Sequence, residues 1–99
     1  MSILSNRIKK ERESMHLSRE DLSKMLGISY SAIAMYEQGN REPNNDLALK
    51  MCEIFNCSLD YLIGKNYYRN NKEYQSAIKY AIAFLEFSDD ELKKIIDLI

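Results

Sequence analysis

The rarest residues of this chain are the ones that metal sites, catalytic clusters and tight turns require. Among 99 residues there are one histidine, two cysteines, one proline, three glycines and no tryptophan. A zinc site would lack ligands and an activated nucleophile would lack partners, so we expect no metal, no cofactor and no enzymatic activity. The shortage of proline and glycine argues against a turn-rich all-β chain and favours helices.

Long hydrophobic runs are also missing. No segment has the length of a signal peptide's apolar region or of a membrane span, so we expect a cytoplasmic protein with no membrane partner. The formal net charge is −1, so the overall composition indicates no particular partner. Cys52 and Cys57 fall where apolar core residues are expected, and we predict buried, reduced thiols there. A redox switch is the alternative.

Apolar spacing and capping residues predict five helices in the first 64 residues, and hence an all-α chain. The first helix runs from about Ile3 to Ser14. Each later helix is opened by a capping side chain, in order Ser18, Ser29, Asn44 or Asn45, and Ser58. Gly27 and Gly39 can adopt the positive φ that ends a helix. The predicted apolar stripes are Leu4, Ile8 and Met15, then Leu22, Met25 and Leu26, then Ile33 and Tyr36, then Leu49, Cys52 and Phe55, and finally Leu59, Leu62 and Ile63.

The rest of the chain predicts a linker and a two-helix hairpin. Residues 65–70 indicate a linker or hinge, and a sixth helix begins at Asn70 or Asn71. A seventh helix is opened by the sequence from Ser88 to Glu91, which has the S-x-x-E pattern of a capping box. We therefore divide the chain into a domain at 1–64, a linker at 65–70 and a C-terminal helical hairpin at 71–99.

The stretch from Leu17 to Gly39 has the most specific pattern. It predicts two short helices joined by a turn that contains a glycine, the second helix being capped by a serine. With the residues that follow, it resembles the helix-turn-helix domain of phage repressor and Cro-type proteins, the XRE family, over about residues 8–64. The matching residues are Leu17, Ser18, Leu22, Gly27, Ile28, Ser29, Ile33, Glu37, Gly39, Pro43, Leu49, Phe55 and the run from Ser58 to Leu62.

This resemblance implies a five-helix, lambda-repressor-like fold whose recognition helix, residues 29–38, enters the major groove of double-stranded DNA. Arg19 stands where relatives often have a glutamine that touches a phosphate, although pairing with a carboxylate such as Glu20 or Asp21 is the alternative. In relatives, the residues just after the recognition helix commonly contact the opposite DNA backbone, and Asn40 and Arg41 stand at these positions. The predicted DNA-binding residues are Arg19, Ser29, Tyr30, Ser31, Ala34, Met35, Gln38, Asn40 and Arg41.

The predicted base-reading residues depart from the family pattern. Relatives often have Gln, Arg or Lys at the positions of Tyr30, Ser31 and Met35, and this chain offers no bidentate side chain there. We therefore expect recognition biased toward A·T pairs and DNA shape. Packing of Tyr30 on the first helix is the alternative for that residue. The basic residues of the first helix, Arg7, Lys9, Lys10 and Arg12, are expected to form a solvated face.

The C-terminal hairpin is too short to bury its apolar residues alone. It either folds back onto the first domain or pairs with a second copy, and we favour the homodimer. Two recognition helices would then lie roughly 34 Å apart on a palindromic operator. The predicted dimerisation residues are Tyr74, Ile78, Ala81, Leu85, Leu92, Ile95 and Ile96.

The resemblance implies a sequence-specific transcriptional regulator that binds double-stranded DNA, and we expect a dimeric repressor. An antitoxin or antirepressor-like adaptor is the alternative. In that case the C-terminal helices would bind a protein partner. The slight excess of acidic residues and the lack of a bidentate side chain on the recognition helix favour this alternative.

Overall fold

Every regular element in the residues that the computed structural model describes, 2–84 and 89–98, is a helix. This confirms the predicted all-α class. The helices are α1 (Ile3–Ser14), α2 (Arg19–Leu26), α3 (Tyr30–Gln38), α4 (Asn45–Phe55), α5 (Leu59–Leu62), α6 (Asn71–Phe84) and α7 (Asp89–Asp97). The chain divides into two compact units, and the division falls between Tyr67 and Tyr68, inside the segment 65–70.

Side-chain caps open the helices of the first unit as predicted. The side-chain oxygens of Ser18, Ser29, Asn44 and Ser58 each accept a hydrogen bond from the backbone N–H three residues later. Such a cap satisfies one of the amide groups that a helix start leaves unpaired. Of the two asparagines considered for α4, Asn44 is the cap.

The caps of the second unit are partly outside the described residues. Asn70 Oδ1 accepts a hydrogen bond of 2.9 Å from the N–H of Glu73, which makes Asn70 the cap of α6. Ser88, the predicted cap of α7, lies outside the described residues.

Two glycines and one asparagine end three of the helices. Gly27 and Gly39 have φ values of 68° and 77°, in the left-handed region that glycine adopts without strain. Asn56 ends α4 in the same left-handed region, with a φ of 52°. The glycine ends of α2 and α3 were predicted, and they set the turn between these two helices and the exit from α3.

The core of the first unit lies between α1 and the four helices that follow it. Helix α1 contacts α3, α4 and α5, and α2 contacts α3 and α4. Cys52 is buried and Cys57 is partly buried, and the two are not joined in a disulfide. The largest fully buried apolar side chains are Phe55, Ile8, Leu22, Ile33, Met51 and Leu62.

Four residues of the predicted apolar stripes are exposed instead: Met15, Met25, Leu49 and Ile63. In α4 the buried residues are Leu47, Ala48, Met51, Cys52 and Phe55. Each residue advances about 100° around a helix, so these five share one face and Leu49 lies beside it. The i, i+3 spacing of Leu49 and Cys52 therefore selected a face that is rotated away from the core.

Residues near each end of the segment 65–70 make contacts within their own unit. The carbonyl oxygen of Asp60 accepts hydrogen bonds from the N–H groups of Lys65 and Asn66, at 2.7 and 3.2 Å. On the other side of the division, the ring of Tyr68 packs edge-on against Tyr74, with centroids 5.1 Å apart.

The second unit is a pair of helices, because α6 contacts α7. Among the predicted dimerisation residues, Tyr74, Ile78 and Ile96 are half-buried and Ala81 is exposed. Leu85 lies outside the described residues, and the side chains of Leu92 and Ile95 do too. Among the helices that the structure describes, none is long and apolar enough to cross a membrane.

Candidate nucleic-acid interface

Helices α2 and α3 pack against each other across the turn at Gly27. A reciprocal capping box opens α2: Asp21 N–H donates to Ser18 Oγ at 2.9 Å, and Ser18 N–H donates to Asp21 Oδ2 at 3.0 Å. The bond from the Ser18 backbone lowers the pKa of the Asp21 carboxyl. Ser23 is buried in α2. The start of this motif is therefore stiffened by local bonds.

Helix α3 separates its buried and exposed side chains clearly. Ile33, Tyr36 and Glu37 are buried. Tyr30 keeps 54% of its surface exposed and Met35 keeps 39%. Of the other predicted DNA-binding residues, Ala34 is half-buried and the exposed ones are Ser29, Ser31, Gln38, Asn40 and Arg41.

The residues after α3 continue this exposed surface. Asn40 follows Gly39, and its N–H donates to the carbonyl oxygen of Met35 at 3.0 Å. The Asn40 side chain donates to Gln38 Oε1 at 3.2 Å. These bonds hold Asn40, which is predicted to contact the DNA backbone, close to the end of α3.

A buried ion pair lies under the outer face of α3. Arg12 Nε donates to Glu37 Oε2 at 2.7 Å, and Arg12 Nη2 donates to Glu37 Oε1 at 3.0 Å. Arg12 Nη1 also donates to the carbonyl oxygen of Leu17 at 2.8 Å. Arg12 therefore connects α1 to α3 and to the start of the motif. Its hydrogen bond to Glu37 raises the pKa of the Arg12 guanidinium.

The expectation that Arg12 belongs to a solvated face is wrong, since its exposed fraction is 9%. Arg12 lies four residues after Ile8 and so shares the face of α1 that packs in the core. The spacing contained this signal, but a charged residue is placed in a core only when a partner is there. That partner, Glu37, is 25 residues away in sequence.

Arg19 also pairs with Glu37, and not with Glu20 or Asp21. Arg19 Nε donates to Glu37 Oε1 at 3.2 Å. Its hydrogen bond to Glu37, and then one to the Tyr30 side chain, raise the pKa of the Arg19 guanidinium. The alternative of a carboxylate partner is thus observed, with a carboxylate that the sequence did not single out.

The remaining basic residues of α1 divide into two groups. Arg7 donates to the backbone oxygens of Tyr61 and Asn66, and its guanidinium lies 4.2 Å from the centre of the Tyr61 ring. Lys9 and Lys10 are exposed, and Lys9 lies 4.0 Å from Glu13. The solvated basic face is therefore limited to these two lysines.

The described residues contain no group of three or more His, Cys, Asp or Glu side chains that could hold a metal ion. Burial raises the pKa of the Cys52 thiol. A thiol with a raised pKa forms less of the reactive thiolate.

Comparison with known proteins decides the family. A model described as helix-turn-helix matches residues 8–62, more than half of the chain. The chain belongs to the helix-turn-helix family of phage-repressor (XRE) type. This confirms the resemblance of the stretch around α2 and α3.

Two curated relatives are transcriptional regulators by name. The chain is 31% identical over 74 residues to repressor protein C2 of Salmonella phage P22, which is 75% of this chain and 34% of that protein. It is 32% identical over 63 residues to the regulator ImmR of Bacillus subtilis, which is 64% of this chain and 50% of that protein. The chain thus spans a third to a half of the length of these relatives.

A solved structure of the P22 c2 repressor in complex with synthetic operator 9T in the presence of Tl⁺ has the same fold. It superposes with a TM-score of 0.62 and 30% identity, over 67% of this chain and 100% of that one.

Proposed function

We propose that this chain is a sequence-specific regulator that binds double-stranded DNA and represses by occupying an operator. The observation that supports this most strongly is the exposed face of α3, with Tyr30 and Met35 held outward above a buried Ile33 and Glu37. The similar P22 repressor structure, which contains an operator, supports the same use of this helix.

In the proposed complex α3 lies in the major groove, and four side chains face base edges: Tyr30, Ser31, Ala34 and Met35. None of these can form the bidentate bonds with guanine or adenine that Arg, Asn and Gln form. A tyrosine hydroxyl, a serine hydroxyl and apolar contact with thymine methyl groups are what remain. We therefore expect a preference for A·T pairs at these positions, together with a contribution from DNA shape.

Basic and amide side chains beside α3 are proposed to bind phosphates. Arg19 lies at the start of α2, and Asn40 and Arg41 follow the end of α3. Contacts of this kind position a protein on the duplex without reading its sequence.

The second unit is proposed to pair two copies of the chain. Tyr74, Ile78 and Ile96 are only half-buried, and Tyr80 and Leu98 are largely exposed. Apolar residues that a single hairpin leaves accessible can be covered by a second copy. A two-fold dimer would present two recognition helices to a palindromic operator.

Fluorescence anisotropy with duplexes selected from a random pool tests the proposed function. We expect the selected duplex to bind at least a thousandfold more tightly than a random one at the same salt. Met35→Ala should reduce this ratio about five- to tenfold, because it removes a base-facing contact. Lys50→Met, in the exposed surface of α4, is the control and should leave the ratio unchanged.

Failure of the chain to bind any duplex at low salt would contradict the proposal, and so would equal binding to all duplexes. Co-purification of a stoichiometric protein with the chain, together with poor DNA binding, would instead favour the antitoxin-like adaptor.

A further inference from the structure

The carboxylate of Glu37 is shared by two arginines. Both of its oxygens accept hydrogen bonds from Arg12, at 2.7 and 3.0 Å, and Oε1 accepts a third from Arg19 Nε at 3.2 Å. The Glu37 side chain has no exposed surface. A bidentate pair with Arg12 is the geometry that best matches a carboxylate, so Arg12 alone satisfies the charge of Glu37.

Two guanidinium groups around one carboxylate leave one positive charge over. Glu13 also approaches Arg12, at 3.7 Å, but it is exposed and lies near Lys9 as well. Solvent screens an exposed carboxylate of this kind. Of the two arginines, Arg19 has the more accessible side chain, with 26% exposed against 11% for Arg12. The surplus charge therefore reaches solvent through Arg19.

Arg19 is held at Nε, the guanidinium nitrogen that joins its aliphatic part. A guanidinium has five N–H donors in a rigid plane. Glu37 accepts the hydrogen bond from Nε. The terminal amino groups can then bind an anion in a defined orientation. A lysine has its three donors on a single nitrogen that rotates freely, so it could supply the charge but not the orientation.

Arg19 is the first residue of α2, so this partly exposed guanidinium lies at the start of the helix-turn-helix motif.

We propose that Glu37 is a positioning residue that orients Arg19 toward a DNA phosphodiester. This inference rests on the proposed DNA-binding function. The pairing of Arg19 with a carboxylate and its contact with a phosphate, which look like alternatives, become two parts of one arrangement.

Arg19 variants test the orientation. Kd is measured against salt concentration for the selected duplex and for a random duplex. Arg19→Met should weaken both complexes by roughly tenfold or more, the worth of a charge-assisted hydrogen bond. It should also reduce the salt slope by about 1. Arg19→Lys should restore the slope but not the affinity. Wild-type affinity for Arg19→Lys would show that charge alone suffices and would overturn the role of Glu37.

Glu37→Gln tests the coupling directly. It should weaken DNA binding in the wild-type background but not in the Arg19→Met background, because Glu37 acts through Arg19. A thermal melt confirms that each variant is folded at the temperature of the titration. The same loss in both backgrounds would show a purely structural role. If the wild-type chain does not distinguish duplexes at all, the proposed function fails, whatever the variants do.

Discussion

At the scale of single residues, the buried contact between Arg12 and Glu37 links three helices. Arg12 holds Glu37 of α3 and the carbonyl oxygen of Leu17, just before α2. Burying two charges costs solvation free energy that their attraction only partly offsets. The value of such a pair is therefore seen mainly when one partner is removed.

Glu37→Ala is expected to lower the free energy of unfolding by about 3–5 kcal/mol, because it leaves Arg12 buried without its carboxylate. Urea denaturation followed by circular dichroism measures this. The control is Lys24→Met, which removes an exposed pair with Glu20 and should cost about 1 kcal/mol or less. Similar losses for the two variants would show that the buried pair has no special role.

The exposed apolar residues show what side-chain spacing alone leaves open. Leu49 and Met25 lie at helical distance from true core residues, yet both are about half exposed. A helix has several faces with acceptable spacing, and the neighbouring helices select one of them. The spacing of apolar residues predicted that these segments are helices. Which face of α2 and of α4 is buried depended on how each helix packs against its neighbours.

At the scale of elements, caps determine where the helices begin. The bonds that open α2, α3, α4 and α5 each join residues only three positions apart. Because they are local, they form in the same way whatever the rest of the chain does. This is why the starts of α2, α3 and α5 were predictable to the residue, and that of α4 to within one residue.

The capping box of α2 should give stability a dependence on acid pH. The pKa of Asp21 is lowered in the folded chain from its ordinary value of 3.8, chiefly by the bond from the Ser18 N–H. Its contribution is therefore present above pH 3.8 and is lost as the pH falls through the lower, folded value.

Asp21→Asn is expected to reduce stability near neutral pH and to remove this dependence, since an amide does not titrate. Urea midpoints of the two proteins should thus differ most above pH 5 and converge as the pH falls below 3.8. A difference that stays constant across this range would contradict a role for the Asp21 charge.

At the scale of the whole molecule, the chain consists of two units with separate tasks in the proposed function. The first unit, up to Tyr67, contains the motif and its own core. The second contains α6 and α7, whose half-buried residues include Ile78. Pairing through the second unit would let two weakly discriminating recognition helices act together.

Ile78→Lys is expected to convert the dimer into a monomer in sedimentation equilibrium. Binding to the palindromic duplex should weaken by about a hundredfold or more, because two linked contacts become one. Lys79→Gln, at the exposed neighbouring position, should change neither result. A wild-type chain that sediments as a monomer at micromolar concentration would contradict the proposed pairing.

The sequence by itself determined the helical class, the starts of α2, α3 and α5, and the family. These follow from short-range features: cap residues three positions from their donors, glycines at positive φ, and a set of family residues in order. The predicted DNA-binding and dimerisation residues stay predictions, because no contact with DNA or a second copy tests them.

Only the tertiary structure decided which polar residues are buried and what they bind. Arg12 and Arg19 meet Glu37 across 25 and 18 positions of sequence, so no local pattern indicates the contact. Whether a charge is buried depends on the partner that folding brings beside it. That placement left Arg19 with a surplus charge at the surface of the helix-turn-helix motif.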